Sequence, residues 1–393
     1  MEKTIASPAA GIYIHIPFCV KKCLYCDFYS ETALSRRSEF VSHLIEELSL
    51  RQSEYPVDTL YFGGGTPSVM DPDSIGTVVD TIRRLYRLSP DAEITLEVNP
   101  GTLDRTALDR YLAMGVNRLN IGVQSFNDKH LTLLGRVHTA DAACRAIADA
   151  RDAGFKNIGL DFIYALPGQS VQAVLDDLQR AVAFSPEHLS CYMLTVEPGT
   201  PLEHGVKSGD FTPLDEEQTA DHFRLVSQFI NTNGYAQYEI SNFSRISRAN
   251  GVDYRSKHNL KYWNHYPYRG FGPSAHSFID NRRSWNHQTL DAYESSIDGG
   301  LLPVAGEEVL TREQQFTEFI YLGLRQTDGI DVQEFERRFD VSFYQWFQPV
   351  FEQLRPKDLF RNSSERCALT LEGQLIMDGI CRIMVDRNLQ PNL

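Results

Sequence analysis

Short apolar runs alternate with segments of helical period through the first 240 residues of this 393-residue chain. The apolar runs predict strands at 12–16, 59–62, 93–98, 118–124, 157–164 and 188–195. Apolar residues at helical spacing between them predict helices at 39–50, 74–88, 108–114, 140–153 and 171–184. Alternating strands and helices indicate an α/β fold whose parallel sheet forms a partial or complete barrel.

The rest of the chain divides into two further parts. From about residue 215 to 286 no clear period is visible, and aromatic residues are frequent. A helical pattern returns near residue 311 and predicts helices at 313–324, 332–339, 343–354 and 374–385. We therefore expect a barrel at 1–240, an aromatic-rich extension at 241–299 and a small, mostly helical C-terminal domain at 300–393.

Charge and cysteine usage narrow the function classes. A net charge of −14 argues against a surface that follows nucleic-acid phosphates. No apolar run approaches the ~20 residues of a membrane span, and the chain does not begin with a signal-peptide core. We expect a cytoplasmic protein that reaches a membrane only through a partner. The cysteines outside the first 30 residues are scattered, as is typical of buried thiols: Cys144, Cys191, Cys367 and Cys381.

A cysteine loop directly after the first predicted strand carries the strongest chemical signal. Cys19, Cys23 and Cys26 have the spacing C-x3-C-x2-C. A [4Fe–4S] cluster normally takes four cysteines, so three thiolates leave one iron open to a small molecule. A tetrahedral zinc site would need a fourth Cys or His nearby, and His15 lies inside the predicted strand. The loop therefore predicts an iron–sulfur cluster at residues 19–26.

This cysteine spacing resembles that of the radical S-adenosylmethionine (SAM) superfamily. In that superfamily the open iron binds the amino and carboxylate groups of SAM. The resemblance implies a partial parallel (β/α)6 barrel of TIM-like type and SAM as a second cofactor. We expect Tyr25, inside the loop, to cover the cluster. The resemblance also implies that Tyr25 and Tyr13, which lies in the preceding strand, belong to the SAM site.

The second predicted strand leads into the run Gly63-Gly64-Gly65-Thr66-Pro67. Such a run brings backbone close to a ligand and leaves N–H groups free for an acceptor, although a tight turn also explains it. Behind a three-cysteine loop it resembles the radical SAM element whose carbonyls bind the methionine amino group. We therefore expect Gly64, Gly65 and Thr66 at the SAM site.

Polar residues follow the ends of later strands: Glu97, Gln124, Arg136 and Asp161. Each alone has an ordinary explanation as a helix cap, a solvated loop residue or part of a rim salt bridge. Together they match the oxygen-independent coproporphyrinogen oxidase group of radical SAM proteins, where the equivalent residues line the SAM site. The resemblance implies that carboxylates hold the ribose or amino group and that Arg136 pairs with the methionine carboxylate.

One branch of that group, the heme chaperones, resembles the chain most. The oxidases carry a fourth cysteine where Phe28 stands here, and they have a longer segment before the cluster than the eighteen residues that precede Cys19. The run His258-Asn259-Leu-Lys-Tyr262-Trp263 matches the H-N-x-x-Y-W signature of the chaperone branch. The resemblance implies heme as a further ligand.

His258 has two readings that the sequence leaves open. A histidine among aromatic residues is often a packed, hydrogen-bonded core residue. It could instead offer its imidazole to heme iron while Tyr262 and Trp263 cover the macrocycle. Four other donors compete for that role: His265, His276, His287 and Cys191.

The first functional hypothesis is a heme chaperone that hands heme to an acceptor, such as a respiratory heme protein, while the cluster and SAM control transfer, electron input or a homodimer. The protein would then resemble coproporphyrinogen III dehydrogenase without its activity. The alternative is an oxidase that decarboxylates coproporphyrinogen III to protoporphyrinogen IX. A third reading, a zinc-binding or purely structural barrel, requires the rim pattern to be coincidence.

Overall fold

The computed structural model describes residues 9–246 and 251–386, so the N-terminal octapeptide and residues 387–393 of the expected C-terminal domain lie outside the described residues. The strands are β1 (Ala10–Ile16), β2 (Ser53–Gly64), β3 (Tyr86–Val98), β4 (Arg118–Gln124), β5 (Ile158–Tyr164), β6 (His188–Met193), β7 (Tyr235–Gln237), β8 (Asn242–Arg245), β9 (Tyr268–Phe271), β10 (His276–Ile279), β11 (Arg282–Asn286), β12 (Val304–Val309), β13 (Ile330–Asp331), β14 (Phe360–Asn362) and β15 (Arg366–Leu369).

The helices are α1 (Arg37–Leu50), α2 (Pro72–Leu85), α3 (Arg105–Ala113), α4 (Asp128–Leu133), α5 (Ala140–Ala153), α6 (Val171–Ala183), α7 (Pro201–Ser208), α8 (Glu216–Thr232), α9 (Lys257–Trp263), α10 (Leu290–Asp298), α11 (Arg312–Arg325), α12 (Val332–Phe339), α13 (Phe343–Trp346), α14 (Gln348–Leu354), α15 (Leu371–Leu375) and α16 (Met377–Val385). Within the described ranges, no helix is both long enough and apolar enough to cross a membrane.

One large sheet confirms the predicted α/β fold. Its twelve strands run in the order β12-β11-β10-β9-β1-β2-β3-β4-β5-β6-β8-β7. The strands from β9 through β1 to β6 are parallel, and the pairs at both edges are antiparallel. The parallel strands are almost entirely buried because helices cover them, which is why they appear in the sequence as apolar runs. Their carboxyl ends meet at one rim.

The expected aromatic extension at 241–299 does not stand apart from this sheet. β8 pairs with β6 at one edge, while β9 pairs with β1 at the other, with Gly11 opposite Tyr268. These strands span only four residues each, too few for a period to show in the sequence. The stretch called aperiodic also contains α8, whose capping box joins Asp215 and Gln218.

The second core differs from the expected C-terminal domain in two ways. β12 belongs to the large sheet although it lies beyond Gly299-Gly300, so the second core begins with Phe316 on α11. This core also contains a small antiparallel sheet, β13-β15-β14, besides its helices. Arg325, at the end of α11, lies with its guanidinium carbon 4.5 Å from the ring centroid of Trp263 and so joins the two cores.

A buried carboxylate fastens the added edge strands to α1. Glu47 accepts hydrogen bonds from Asn286 Nδ2, the Tyr293 hydroxyl and the Gly272 N–H, each at 2.8 Å. Arg51, one helical turn later, lies 3.2 Å away. Burial raises the pKa of Glu47, against the effect of Arg51 and these donors. The carboxylate thus depends on partners that come from β11, α10 and the turn after β9.

We expect Glu47→Ala to lower the free energy of unfolding by about 3 kcal/mol, because it leaves several buried donors without an acceptor. Glu46→Ala, at an exposed position of the same helix, should change it by less than about 0.5 kcal/mol. Denaturant unfolding followed by circular dichroism measures both values. Equal losses in the two variants would show that the buried carboxylate does not hold this edge.

Candidate functional site

A cavity of about 610 Å³ opens at the carboxyl ends of the parallel strands. Nearly all of the residues expected at a cluster or at SAM line it: Cys19, Cys23, Tyr25, Cys26, Gly64, Gly65, Thr66, Glu97, Gln124, Arg136 and Asp161. Residues that the sequence did not single out line it too, among them Tyr61, Asn99, Arg118, Asn120, Ser190 and Tyr192, and so does Asn259 of the H-N-x-x-Y-W run. Tyr13 and His258 are not part of its wall.

The cysteine loop is held against the end of β2. The N–H groups of Gly65 and Thr66 donate to the carbonyls of Ile16 and Phe18, at 2.8 and 2.7 Å. A Cβ atom on Gly65 would lie 2.7 Å from the Phe18 oxygen, so only glycine permits this approach. The expectation that these N–H groups are free for a ligand is therefore wrong, because the loop itself uses them.

The three thiols of the loop are free and stand on the cavity wall. Cys19 Sγ lies 3.4 Å from Thr66 Oγ1, and Cys23 Sγ lies 3.5 Å from Arg136 Nη1. Phe28, which follows the loop, is 68% exposed at the mouth of the cavity. In the described part of the chain, no group of three or more His, Cys, Asp or Glu side chains is arranged to hold a single metal ion. The loop presents its thiols to the cavity, as a multi-iron cluster requires.

Arg136 connects this loop to the rim. Its Nη2 donates to Asn99 Oδ1 at 2.5 Å and to the Gly122 carbonyl at 2.9 Å. Asn99 in turn donates to Thr66 Oγ1 at 2.8 Å. Asn99 stands directly after β3, in the run that contains Glu97, so its position after a strand was the signal that could have identified it.

Glu97 lies half-buried on the cavity wall. It accepts a hydrogen bond from the Tyr61 hydroxyl at 2.7 Å. Burial raises the pKa of Glu97 to about 7, with Asp161 acting in the same direction and the Tyr61 hydrogen bond opposing it. The carboxyl therefore changes charge near neutral pH, unlike an exposed glutamate.

A second group of polar side chains lies deeper, on β4 and β5. Asn120 Nδ2 donates to Asp161 Oδ2 at 2.6 Å, and burial raises the pKa of Asp161. Arg118 is only 1% exposed. Residues 118, 120 and 124 alternate along β4 and so share one face, which was the available signal for Arg118 and Asn120.

Several buried polar atoms around the cavity have no hydrogen-bond partner within residues 9–246 and 251–386. They are Asp161 Oδ1, Asn120 Oδ1, Arg136 Nε, and Nε and Nη1 of Arg118. Buried polar groups without partners are costly, so such a set is typical of a site that binds a polar ligand. Donors and acceptors of both charges beside three thiols fit a cluster with one open iron and a zwitterionic molecule such as SAM.

The structure places Tyr13 beneath the cavity. Its hydroxyl lies 3.2 Å from His15 Nδ1, and its ring stacks on Tyr61 with 6.1 Å between centroids. The sequence analysis expected Tyr13 at the SAM site, but its side chain packs under the cavity wall and does not line it.

His258 occupies the packed position that the sequence left open. It is 1% exposed, and its Nδ1 and Nε2 are hydrogen-bonded to Thr59 Oγ1 at 2.8 Å and to the Tyr262 hydroxyl at 2.9 Å. Burial lowers its pKa to about 3. With both nitrogens engaged, the imidazole offers no free lone pair to iron in this arrangement.

The competing donors differ in exposure. Cys191 is 2% exposed, and His265 is largely enclosed next to Glu318. His287 is half-buried. His276 is exposed on β10 and stacks on Trp285, with 6.2 Å between ring centroids and planes inclined by 30°. Of these four side chains, His276 is the one that solvent reaches most freely.

Thiols beside a polar cavity at the rim of parallel strands are the arrangement of the radical SAM class, and comparison with known families assigns the same class. Residues 13–181 match the model of the Radical SAM superfamily, and residues 310–376 match the HemN C-terminal domain. Membership of that superfamily implies a [4Fe–4S] cluster and SAM as cofactors.

Curated relatives give the family. Heme chaperone HemW of Bacillus subtilis is 34% identical over 93% of this chain and 96% of its own length. Heme chaperone HemW of Escherichia coli is 38% identical over 70% of this chain and 72% of its own length. The chain belongs to the HemW heme chaperone family. The solved structure of coproporphyrinogen III oxidase (HemN) from Escherichia coli shares the fold, with a TM-score of 0.83 and 23% identity over 97% of this chain and 91% of that one.

Glu97 gives a prediction about pH. Its raised pKa means that its contribution to stability is complete below the unfolded-state value of 4.5 and is lost as pH rises through about 7. Glu97→Gln stays neutral, so between about pH 5 and about pH 8 the wild type should lose roughly 1–3 kcal/mol more unfolding free energy than the variant. Denaturant titrations of the cofactor-free proteins measure this difference.

The control for that experiment is Glu54→Gln, at an exposed position of β2. Its stability should follow the wild-type pH dependence. If the unfolding free energies of the wild type and Glu97→Gln change with pH in parallel, the raised pKa of Glu97 is contradicted.

Proposed function

We propose that this protein is a heme chaperone: it binds heme, transfers it to an acceptor protein, and carries a SAM-binding [4Fe–4S] cluster. The observation that carries the proposal is the similarity to curated heme chaperones along nearly the whole chain. Phe28 at the position of the oxidases' fourth cysteine, exposed at the cavity mouth, supports the chaperone over the oxidase.

In this proposal Cys19, Cys23 and Cys26 hold the cluster. The cluster, when bound, supplies an open iron for SAM and one-electron chemistry. Thr66 and Arg136 lie next to Cys19 and Cys23 and hold these side chains in place from the rim.

The polar wall orients SAM by charge. Arg136 keeps two of its hydrogen bonds within the rim, and its cationic head is placed to pair with a carboxylate. Asp161 retains one oxygen without a partner among the described residues, suited to a hydroxyl or ammonium donor. Glu97 and Gln124 complete the wall with acceptors on neighbouring strands.

Heme, in this proposal, binds away from His258. Both nitrogens of His258 are hydrogen-bonded inside the protein, whereas His276 is exposed and lies against the flat face of Trp285. An exposed imidazole provides an axial ligand for heme iron, and the indole stacks on that imidazole. His276 is therefore the first donor to test.

The cluster assignment predicts the result of cysteine substitution. Cys19→Ser, Cys23→Ser or Cys26→Ser should each prevent full loading with iron and sulfide, because a thiolate ligand is lost. Cys144→Ser, on α5 and outside the cavity wall, should load like the wild type. Iron and sulfide assays after anaerobic reconstitution measure loading. Full loading of the loop variants with iron and sulfide would contradict the assignment of the cluster to this loop.

The heme assignment predicts the result of a titration followed by absorption spectroscopy. Wild type and His258→Gln should bind heme stoichiometrically with a shifted Soret band, whereas His276→Ala should lose the shift because it lacks the axial donor. Loss of the shift in His258→Gln alone would return the ligand role to His258.

The same reconstituted sample, given coproporphyrinogen III and SAM, separates the two functions. The chaperone forms no protoporphyrinogen IX. Turnover together with weak heme binding would contradict the chaperone and favour the oxidase.

A further inference from the structure

Helix α9 lies next to the cavity at the strand ends. Its Asn259 lines the cavity wall, and His258, the preceding residue, packs on a residue of that wall from below. The rings of His258 and Tyr61 stack with 5.1 Å between centroids and planes inclined by 28°. Tyr61 then donates its hydroxyl to Glu97 in the cavity, at 2.7 Å.

We propose that His258 is a positioning residue of the SAM site: its ring holds Tyr61, and Tyr61 holds the Glu97 carboxyl toward SAM. This inference rests on the proposed SAM site. It gives the H-N-x-x-Y-W segment a role in cofactor binding, since one of its members touches the cavity and another supports the wall.

The position of His258 leaves little freedom to move. Thr59 and Tyr262 fix its two nitrogens, and the N–H of His258 donates to Glu93 Oε1 at 3.2 Å. A Cβ atom on Gly11 would lie 3.0 Å from His258 Cε1, so the glycine makes room for the ring under β1. An imidazole fixed by two hydrogen bonds on a backbone that is itself hydrogen-bonded is a rigid support for the ring that stacks on it.

The rest of α9 is fastened to the same strands. Lys261 is 3% exposed, and its Nζ lies 2.6 Å from Asp58 Oδ1 and 2.6 Å from the Ala9 carbonyl. These contacts join α9 to the middle of β2 and to the residue before β1. The backbone N–H of His258 adds a contact with Glu93 on β3, the strand that carries Glu97.

Tyr61 needs such support because its hydroxyl must reach Glu97 from one direction. Its ring forms a three-ring cluster with His258 and Tyr13: the centroids lie 5.1 Å (Tyr61–His258), 6.1 Å (Tyr61–Tyr13) and 6.3 Å (Tyr13–His258) apart. Without the imidazole, one face of the Tyr61 ring borders an empty space and its rotamer is no longer fixed. The hydrogen bond to Glu97 would then be broken part of the time, and the Glu97 carboxyl would lose its fixed orientation.

The test measures SAM affinity of the anaerobically reconstituted full-length protein, by calorimetry and by the change that SAM causes in the electron paramagnetic resonance spectrum of the reduced cluster. His258→Gln keeps polar groups and removes the ring, whereas His258→Phe keeps a ring and removes the polar groups. We expect His258→Gln to weaken SAM binding about tenfold, as expected for the loss of one hydrogen bond to a charged group, and His258→Phe to bind nearly as the wild type.

A double-mutant cycle shows whether His258 acts through Tyr61. Tyr61→Phe should also weaken SAM binding about tenfold, because it removes the donor to Glu97. The double variant His258→Gln/Tyr61→Phe should be no weaker than the weaker single variant, since both remove the same interaction. If the fold-loss of SAM affinity in the double variant equals the product of the two single-variant losses, the inference is overturned.

The remaining outcomes are equally decisive. The positioning role is overturned if the wild type binds SAM and His258→Gln binds it with the same affinity. It is also overturned if His258→Phe weakens binding as much as His258→Gln does. Either result leaves the proposed SAM site intact. Absence of SAM binding by the loaded wild type overturns both. Glu46→Ala, at an exposed position of α1 outside the cavity wall, serves as the control and should keep the wild-type affinity for SAM.

Discussion

Two backbone hydrogen bonds, from Gly65 and Thr66 to the carbonyls of Ile16 and Phe18, hold the cysteine loop against the end of β2. They continue the parallel pairing of β1 and β2 beyond the strand ends and into the cysteine loop. The thiols therefore stand on the wall of a cavity that the other strands furnish with polar side chains. A bulkier residue at position 65 would collide with the Phe18 carbonyl and move the loop away.

The sequence predicted the parallel core well because buried strands are legible as apolar runs. The predicted strand at 118–124 coincides with β4. The prediction for β3 began at 93, whereas the strand starts at Tyr86 and α2 ends at Leu85. Tyr86 continues the strand because it pairs with Ser53 on β2, a contact distant in sequence. The pairing of β9 with β1 is equally non-local and left no pattern to detect.

The sequence could predict those site residues that lie near or just after the end of a strand, because the carboxyl ends of parallel strands meet at one rim. Glu97 and Asp161 were found in this way and do face the cavity. Side-chain direction was the part that the pattern could not supply. Tyr13 and His258 carry suitable chemistry but point beneath the wall, where hydrogen bonds and stacking occupy them. Arg118 was overlooked because a charged residue at the first position of a buried strand is typical of the boundary between a loop and a strand.

The contact between Arg325 and Trp263 couples the stability of the two cores, because a change in one core alters the contact on which the other depends. Trp263 ends α9, and its carbonyl also accepts from Gln326 Nε2 at 3.2 Å. A macromolecule that docks on the C-terminal core and displaces α11 disturbs the helix beneath the cofactor cavity. Such coupling is reciprocal by thermodynamic necessity: whatever factor the docked molecule imposes on SAM affinity, SAM imposes on the affinity for that molecule. In the proposed heme chaperone, SAM would then be an allosteric effector of heme delivery as well as a bound cofactor.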